Sequence, residues 1–148
     1  MFESSITLTQ LIPTVQTAIG PVILISGEGL LLLTMTNRLG RTTDRARMLE
    51  NDRAHLALDQ RQNIDVQLHI LWKRAQQLRL AIIFVVFSSL SAALLIIVLF
   101  LTSLLHAGFV WAIAGLFIIC LSLLITSLIL FICEVNESLE ALKLELGK

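Results

Sequence analysis

The sequence predicts an all-α integral membrane protein with three transmembrane helices. Three observations predict this fold class: a mean hydropathy of +0.85, a charged-residue content of only 15%, and two long runs without any charged side chain. Ordinary soluble domains contain about 25% charged residues. We therefore expect a single membrane domain over residues 1–148, with a cytoplasmic antiparallel helical hairpin between the first two spans and a short cytoplasmic C-terminal helix.

The first span is predicted over residues 11–36, although this segment contains Pro13, Pro21 and Glu28. Membrane helices tolerate proline and glycine where neighbouring helices satisfy the freed backbone groups. The segment before the span carries an acid and no basic residue, unlike a secretory signal, so we expect this helix to remain in the mature protein.

The second and third spans are predicted at residues 80–105 and 109–133, which are free of charged side chains between Leu80 and Cys133. About 20 helical residues cross a bilayer core of about 30 Å, so both runs can span with some tilt. Only residues 106–108 separate them, which predicts a tight antiparallel pair of helices.

The orientation follows from the basic residues. Nine Lys and Arg residues lie between Arg38 and Arg79, and none precedes Arg38. Because basic loops stay on the cytoplasmic side, segment 37–79 is predicted in the cytoplasm and the N-terminus outside. The amphipathic tail, residues 134–148, then returns to the cytoplasm.

Segment 37–79 is predicted to form the helical hairpin, with arms at about 41–58 and 63–80, each roughly 30 Å long. No Gly or Pro occurs between Gly40 and Gly108, and the polar run DQRQN at 59–63 marks the predicted turn. An apolar stripe at alternating steps of four and three runs into the second span, namely Ile64, Leu68, Leu71, Ala75, Leu78 and Ile82.

A resemblance to a known protein family begins in the stretch from Gly20 to Glu50, which reads GPVILISGEGLLLLTMTNRLGRTTDRARMLE. Together with the polar helical segment and paired hydrophobic helices that follow, it resembles the domain-of-unknown-function family 2721 of small bacterial membrane proteins. The most specific part comprises Asn37, Arg38 and Leu39, then Arg41, then the run from Asp44 to Arg47. The resemblance implies a prokaryotic cytoplasmic membrane and a three-span layout, and it implies no activity.

Glu28 is the residue most out of place in a bilayer. It lies ten residues before Arg38, which is about 15 Å of helix rise and places it near the midplane. A charged acid at that depth costs at least about 2.5 kcal/mol, so it should be protonated, paired or facing water. Four hydroxyl residues are predicted at the same depth, namely Ser88, Ser91, Ser122 and Thr126. They form with Glu28 either a polar site for a cation or proton, or a structural hydrogen bond to a protonated acid.

Small residues recur every seven positions on the first span, at Gly20, Gly27 and Thr34. Such faces allow helices to approach closely in membranes. They fit either self-association of first spans around an axis, or packing against the protein's own second and third spans.

Charged side chains cluster near the predicted membrane boundary. Asp44 can pair with neighbouring arginines on its helix, or the arginines can bind anionic lipid headgroups; the cluster comprises Arg38, Arg41, Asp44, Arg45 and Arg47. Acids of the tail, Glu134, Glu137 and Glu140, are predicted to pair with Lys73, Arg74 and Arg79, which emerge at the same membrane face.

The sequence favours a non-enzyme without cofactors. Cys120 and Cys133 are lone thiols with no metal-ligand spacing, and no nucleotide-binding loop or HExxH motif occurs. The basic segment contains five acids, which argues against nucleic acid as a partner.

Three functions compete on this sequence. The first is a homo-oligomer lined by the first span that conducts ions or protons, because three spans rarely enclose a pathway alone. The second is a structural or adaptor protein whose cytoplasmic hairpin docks a protein partner. The third is a binder of anionic membrane lipids.

The uneven distribution of basic residues along the chain gives a testable topology. We expect reporters fused after residue 10 to show an external location, and reporters fused after Lys148 a cytoplasmic one. A cytoplasmic reporter that is active at the first site, or inactive at the second, would show the predicted orientation to be wrong.

Overall fold

The computed structural model describes residues 8–53, 58–105 and 110–146, with side chains described at 12–53, 61–62, 64–105 and 110–138. These residues form three helices: α1 (Leu8–Arg53), α2 (Leu58–Leu105) and α3 (Val110–Leu146). The predicted turn at 106–108 lies outside the described residues.

All three helices are long and apolar enough to cross a membrane. The qualifying segments are Ile12–Arg53, Ile64–Leu105 and Val110–Ser138, and each contains one predicted span almost entirely. The chain is thus an all-helical protein with three membrane-type helices. Because about 20 residues suffice to cross a bilayer core, helices of this length also have room for polar extensions.

The predicted turn at 59–63 is wrong, because α2 already begins at Leu58 and includes this run. Residues 54–57, between α1 and α2, lie outside the described residues. Polarity alone does not end a helix: Gln and Arg are good helix formers, and the run contains neither Gly nor Pro. Arg53 Nε lies 2.9 Å from Asp65 Oδ1, an exposed ion pair between α1 and α2.

The polar tail does not form a helix of its own. Residues 134–146 continue α3 without interruption, where the sequence had predicted a short helix of its own. The segment from Cys133 onward contains no helix breaker before Gly147, so helical hydrogen bonding continues past the end of the apolar run.

Contacts divide the chain into two compact units, each built from parts of all three helices. The first unit comprises residues 1–30 and 85–124, and the second comprises 31–84 and 125–148. The first unit buries Ala18, Val85, Ala92, Leu95 and Cys120. The second buries Met35, Leu71, Leu78 and Ala81.

The apolar stripe predicted on α2 is confirmed. Its six residues are buried or half-buried, and buried positions continue at steps of three and four through Leu78, Ala81, Val85, Ser88, Ala92 and Leu95. This spacing keeps one narrow face of the helix against its neighbours. Several of these residues are small, as expected where membrane helices pack closely.

Leu78 provides a test of this packing. It is completely buried, whereas Leu80 on the same helix is 48% exposed. We expect Leu78→Ala to lower the free energy of unfolding by about 2–5 kcal/mol, because buried methyl groups are lost and a cavity remains. Thermal unfolding in detergent should show a clearly lower midpoint for this variant.

Leu80→Ala is the matched control and should unfold close to wild type. Equal midpoints for the two variants would contradict the burial of the stripe.

Candidate functional site

Glu28 lies inside the first unit, in the apolar part of α1. Its side chain is only 1% exposed. Oε1 lies 2.5 Å from Ser88 Oγ, and Oε2 accepts a hydrogen bond from the Ser89 hydroxyl. Two adjacent hydroxyls of α2 thus hold both oxygens of one carboxyl group, which satisfies polar atoms that would otherwise be buried without partners.

The Ser88 hydroxyl also connects α2 with α3. Ser88 Oγ lies 2.9 Å from the carbonyl oxygen of Cys120 and 3.4 Å from its Sγ. The Cys120 thiol in turn lies 3.5 Å from the carbonyl oxygen of Ser88, so it can donate a weak hydrogen bond there. Ser88 is therefore the central residue of the site, and both Ser88 and Cys120 are almost fully buried. We call Glu28, Ser88, Ser89 and Cys120 the carboxyl site.

The structure brings together only part of the predicted polar group. Glu28 and Ser88 are in contact, but Ser91, which is half-buried, and Ser122, which is exposed, donate to carbonyl oxygens of their own helices, at Phe87 and Ile118. Thr126 is likewise exposed.

Sequence reasoning missed Ser89 and Cys120. Ser89 is adjacent to Ser88, and its position in the same predicted layer was the available signal. Cys120 could not be found in this way, since its closest contact with Ser88 is made by a backbone carbonyl, which every residue carries.

The two glycines of the predicted small-residue face make no close contact with another helix of the chain. Gly20, Gly27 and Thr34 are all exposed, and a Cβ atom added at either glycine would meet no atom of another helix within 4 Å. Both alternatives for this face, self-association and packing against the second and third spans, stay predictions.

A second buried acid lies in the second unit. Glu134 is completely buried and both of its oxygens contact arginines. Oε2 lies 2.8 Å from Arg38 Nε, while Oε1 accepts hydrogen bonds from Arg74 Nε and from a terminal nitrogen of Arg74, at 3.1 and 3.0 Å. The same terminal nitrogen donates to Ser138 at 2.8 Å. This group links all three helices.

One carboxylate here faces two guanidinium groups. The Arg38 guanidinium also lies over the Phe131 ring, 5.8 Å from its centroid, which is within the range of a cation–π interaction. Removing one partner from such a buried group leaves the other charges unpaired, which is strongly destabilising. We therefore read this group as a structural link.

Two of the predicted tail pairings are confirmed, Arg74 with Glu134 and Lys73 with Glu137 at 3.2 Å. Arg79 is exposed, and the side chain of Glu140 lies outside the described residues. Arg38 was predicted only within the boundary cluster and instead contacts Glu134. The other members of that cluster, Arg41, Asp44, Arg45 and Arg47, are exposed, and their role toward lipids stays a prediction.

Metal coordination has no residue cluster to support it. Across the described residues, no group of three or more His, Cys, Asp and Glu side chains is arranged to hold a metal ion.

Comparison with known proteins identifies the family. A family model described as "Protein of unknown function (DUF2721)" matches residues 18–144, so the chain belongs to this family. The match covers the carboxyl site and the Glu134 group. No curated protein and no solved structure matches the chain.

The central position of Ser88 gives a test of the site. We expect Ser88→Ala to lower the free energy of unfolding by about 1–2 kcal/mol, because it removes hydrogen bonds to both Glu28 and Cys120 within the apolar helices. Ser91→Ala, on the same helix, removes only a bond to its own backbone and should be nearly neutral. Unfolding in detergent measures both, and a larger effect at Ser91 would contradict the assignment.

Proposed function

We propose that this member of the DUF2721 family is a non-enzymatic, homo-oligomeric protein of a prokaryotic cytoplasmic membrane, in which Glu28 binds and releases a proton during proton permeation. The observation that supports this most is the buried Glu28 carboxyl group, held by two serine hydroxyls in the apolar part of α1. Ionisable residues within membrane spans are costly and commonly mark proton or ion pathways.

Counting hydrogen-bond protons supports a protonated Glu28. The Ser88 hydroxyl carries one proton, yet its oxygen lies within hydrogen-bond distance of both Glu28 Oε1 and the Cys120 carbonyl oxygen. An ionised carboxylate and a carbonyl can only accept, so one of the two contacts would then lack a proton.

Protonation of Glu28 resolves this conflict. The carboxyl O–H donates to Ser88, Ser88 donates to the Cys120 carbonyl, and Ser89 donates to the other carboxyl oxygen. Each contact then contains one proton, and no net charge is buried in the apolar segment. Once Glu28 has lost its proton, the Ser88 hydroxyl can donate either to Glu28 on α1 or to the Cys120 carbonyl on α3, but not to both. Proton release is therefore coupled to the contacts between helices.

The donor set favours a proton over a metal cation. The carboxyl site offers one carboxyl group, two hydroxyls and a thiol, whereas Ca²⁺ takes 6–8 oxygen ligands and Mg²⁺ requires near-octahedral coordination. A single proton needs only the carboxyl group and hydrogen-bond partners of the kind that Ser88 and Ser89 supply.

Permeation by three spans per chain requires assembly. Self-association is supported by the exposed Gly27, where an added Cβ atom would meet no atom of another helix within 4 Å, which leaves room for another helix to approach. Glu28 contacts Ser88 and Ser89 on α2 of its own chain, so the proposal places the proton site within each subunit and not on an axis between first spans.

The proposed orientation keeps the polar part of the second unit, residues 37–79 and 134–148, in the cytoplasm. Among its described side chains, nine are basic and six are acidic, and the described side chains of the first unit include only Glu28 as a charged group. This distribution supports the positive-inside orientation.

Proton flux tests the proposal. Purified protein is reconstituted into vesicles that enclose a pH-sensitive dye, and the dye reports proton entry after an external acid pulse. We expect flux from wild type and loss of flux from Glu28→Gln, which keeps shape and hydrogen bonding but cannot release a carboxyl proton. The mass of the detergent-solubilised Glu28→Gln complex should equal that of wild type.

Two further variants complete the experiment. Glu28→Leu removes the hydrogen bonds as well and should both abolish flux and loosen the complex. Glu50→Gln, which neutralises an exposed acid on the same helix, is the control and should retain flux. Wild-type flux in Glu28→Gln, or a monomeric wild-type protein, would overturn the proposal.

A further inference from the structure

A half-open apolar cavity of about 280 Å³ lies within the first unit, beside the carboxyl site. All three helices contribute to its walls, and its lining includes Gly20 from α1, Ala92 and Leu95 from α2, and Phe117, Cys120 and Leu121 from α3. The small residues Gly20 and Ala92 leave space that the larger lining residues do not fill.

We propose that this cavity binds a hydrocarbon chain of a membrane lipid. Its walls are almost entirely apolar, and cavities of this chemistry do not hold ordered water, which needs two or more polar partners. A closed apolar cavity of about 150 Å³ accepts benzene, so about 280 Å³ has room for an apolar group of roughly ten carbon atoms.

The position of the cavity among apolar helix segments favours a lipid chain as its occupant. The lining residues named above all belong to helix segments that are long and apolar enough to span a membrane, and the cavity is half-open. Lipid chains surround such segments and reach the opening directly, whereas a side chain from another subunit reaches it only in one particular assembly.

The bound chain also contacts a residue of the carboxyl site. Cys120 is part of the cavity wall, and its carbonyl and thiol groups bond to Ser88. A chain in the cavity therefore packs against the α3 side of the site and supports the close approach of α2 and α3 there. The proposal does not depend on proton transfer by Glu28.

A photoactivatable lipid tests the proposal. Wild-type protein is reconstituted with a phospholipid that carries a diazirine in the middle of one acyl chain, irradiated, digested and sequenced by mass spectrometry. We expect labelling at the half-buried Leu121 to exceed labelling at the exposed residues Ile118 and Ile119 several-fold. These three positions lie at similar depth on α3, so ordinary lipid contact alone would favour the exposed pair.

A matched pair of variants locates the chain. Gly20→Leu places an isobutyl group at the cavity wall without a clash at its Cβ, and should reduce labelling at Leu121 several-fold. Gly29→Leu makes the same change at an exposed position of α1 outside the cavity lining, and should leave labelling unchanged.

Three results would overturn the proposal: even labelling around α3 of wild type, equal labelling of both variants, or a Gly20→Leu effect that accompanies a change in oligomer mass. The last result would assign the cavity to another subunit. The wild-type pattern decides the question even if Gly20→Leu does not fold, and unchanged labelling in Glu28→Gln separates this proposal from the proposed proton site.

Discussion

The carboxyl group of Glu28 within an apolar helix is the constraint on which the first unit depends. An acid in this position must find hydrogen-bond partners or leave a polar group buried without compensation. Ser88 and Ser89 provide them, and this fixes the rotation of α1 relative to α2. Cys120 then fixes α3, because its carbonyl oxygen shares the Ser88 hydroxyl with Glu28. Apolar side chains alone would pack in several rotations at similar cost, whereas hydrogen bonds have a narrow geometry.

The second unit also buries an acid, but here basic side chains compensate the carboxylate. Glu134 is as deeply buried as Glu28, but it contacts Arg38 and Arg74, so its group contains formal charges. Ion pairs of this kind seldom add net stability compared with apolar packing, yet they penalise any arrangement that separates the partners. Arg38, Arg74 and Glu134 come from α1, α2 and α3, and therefore specify how the three helices pack within this unit. The different chemistry of the two acids explains why a proton site is proposed at Glu28 and a structural role at Glu134.

The carboxyl site and the apolar cavity share Cys120, which relates polar and apolar parts of the first unit. Ser88 bonds to the backbone of this residue, and the cavity lies against the same turn of α3. Small residues at Gly20 and Ala92 create the cavity near the hydrogen bonds that hold the helices together. Packing in this region thus combines a narrow hydrogen-bond geometry with space that a flexible apolar chain can fill.

The sequence by itself determined the three apolar helices, the inward stripe of α2 and the unusual character of Glu28, because composition and residue spacing report these directly. It also identified Ser88 and the pairing of Arg74 with Glu134. Only the tertiary structure decided that Ser89 joins Ser88 while Ser91 and Ser122 bond to their own helix backbones, that Arg38 reaches Glu134, and that Gly20 and Gly27 are exposed. Counting residues from a membrane boundary gives depth along a helix but not rotation about its axis, and rotation decides which side chains at one depth meet. The structure also showed that the polar run at 59–63 lies inside α2, because its residues are compatible with a helix and polarity alone does not mark a turn.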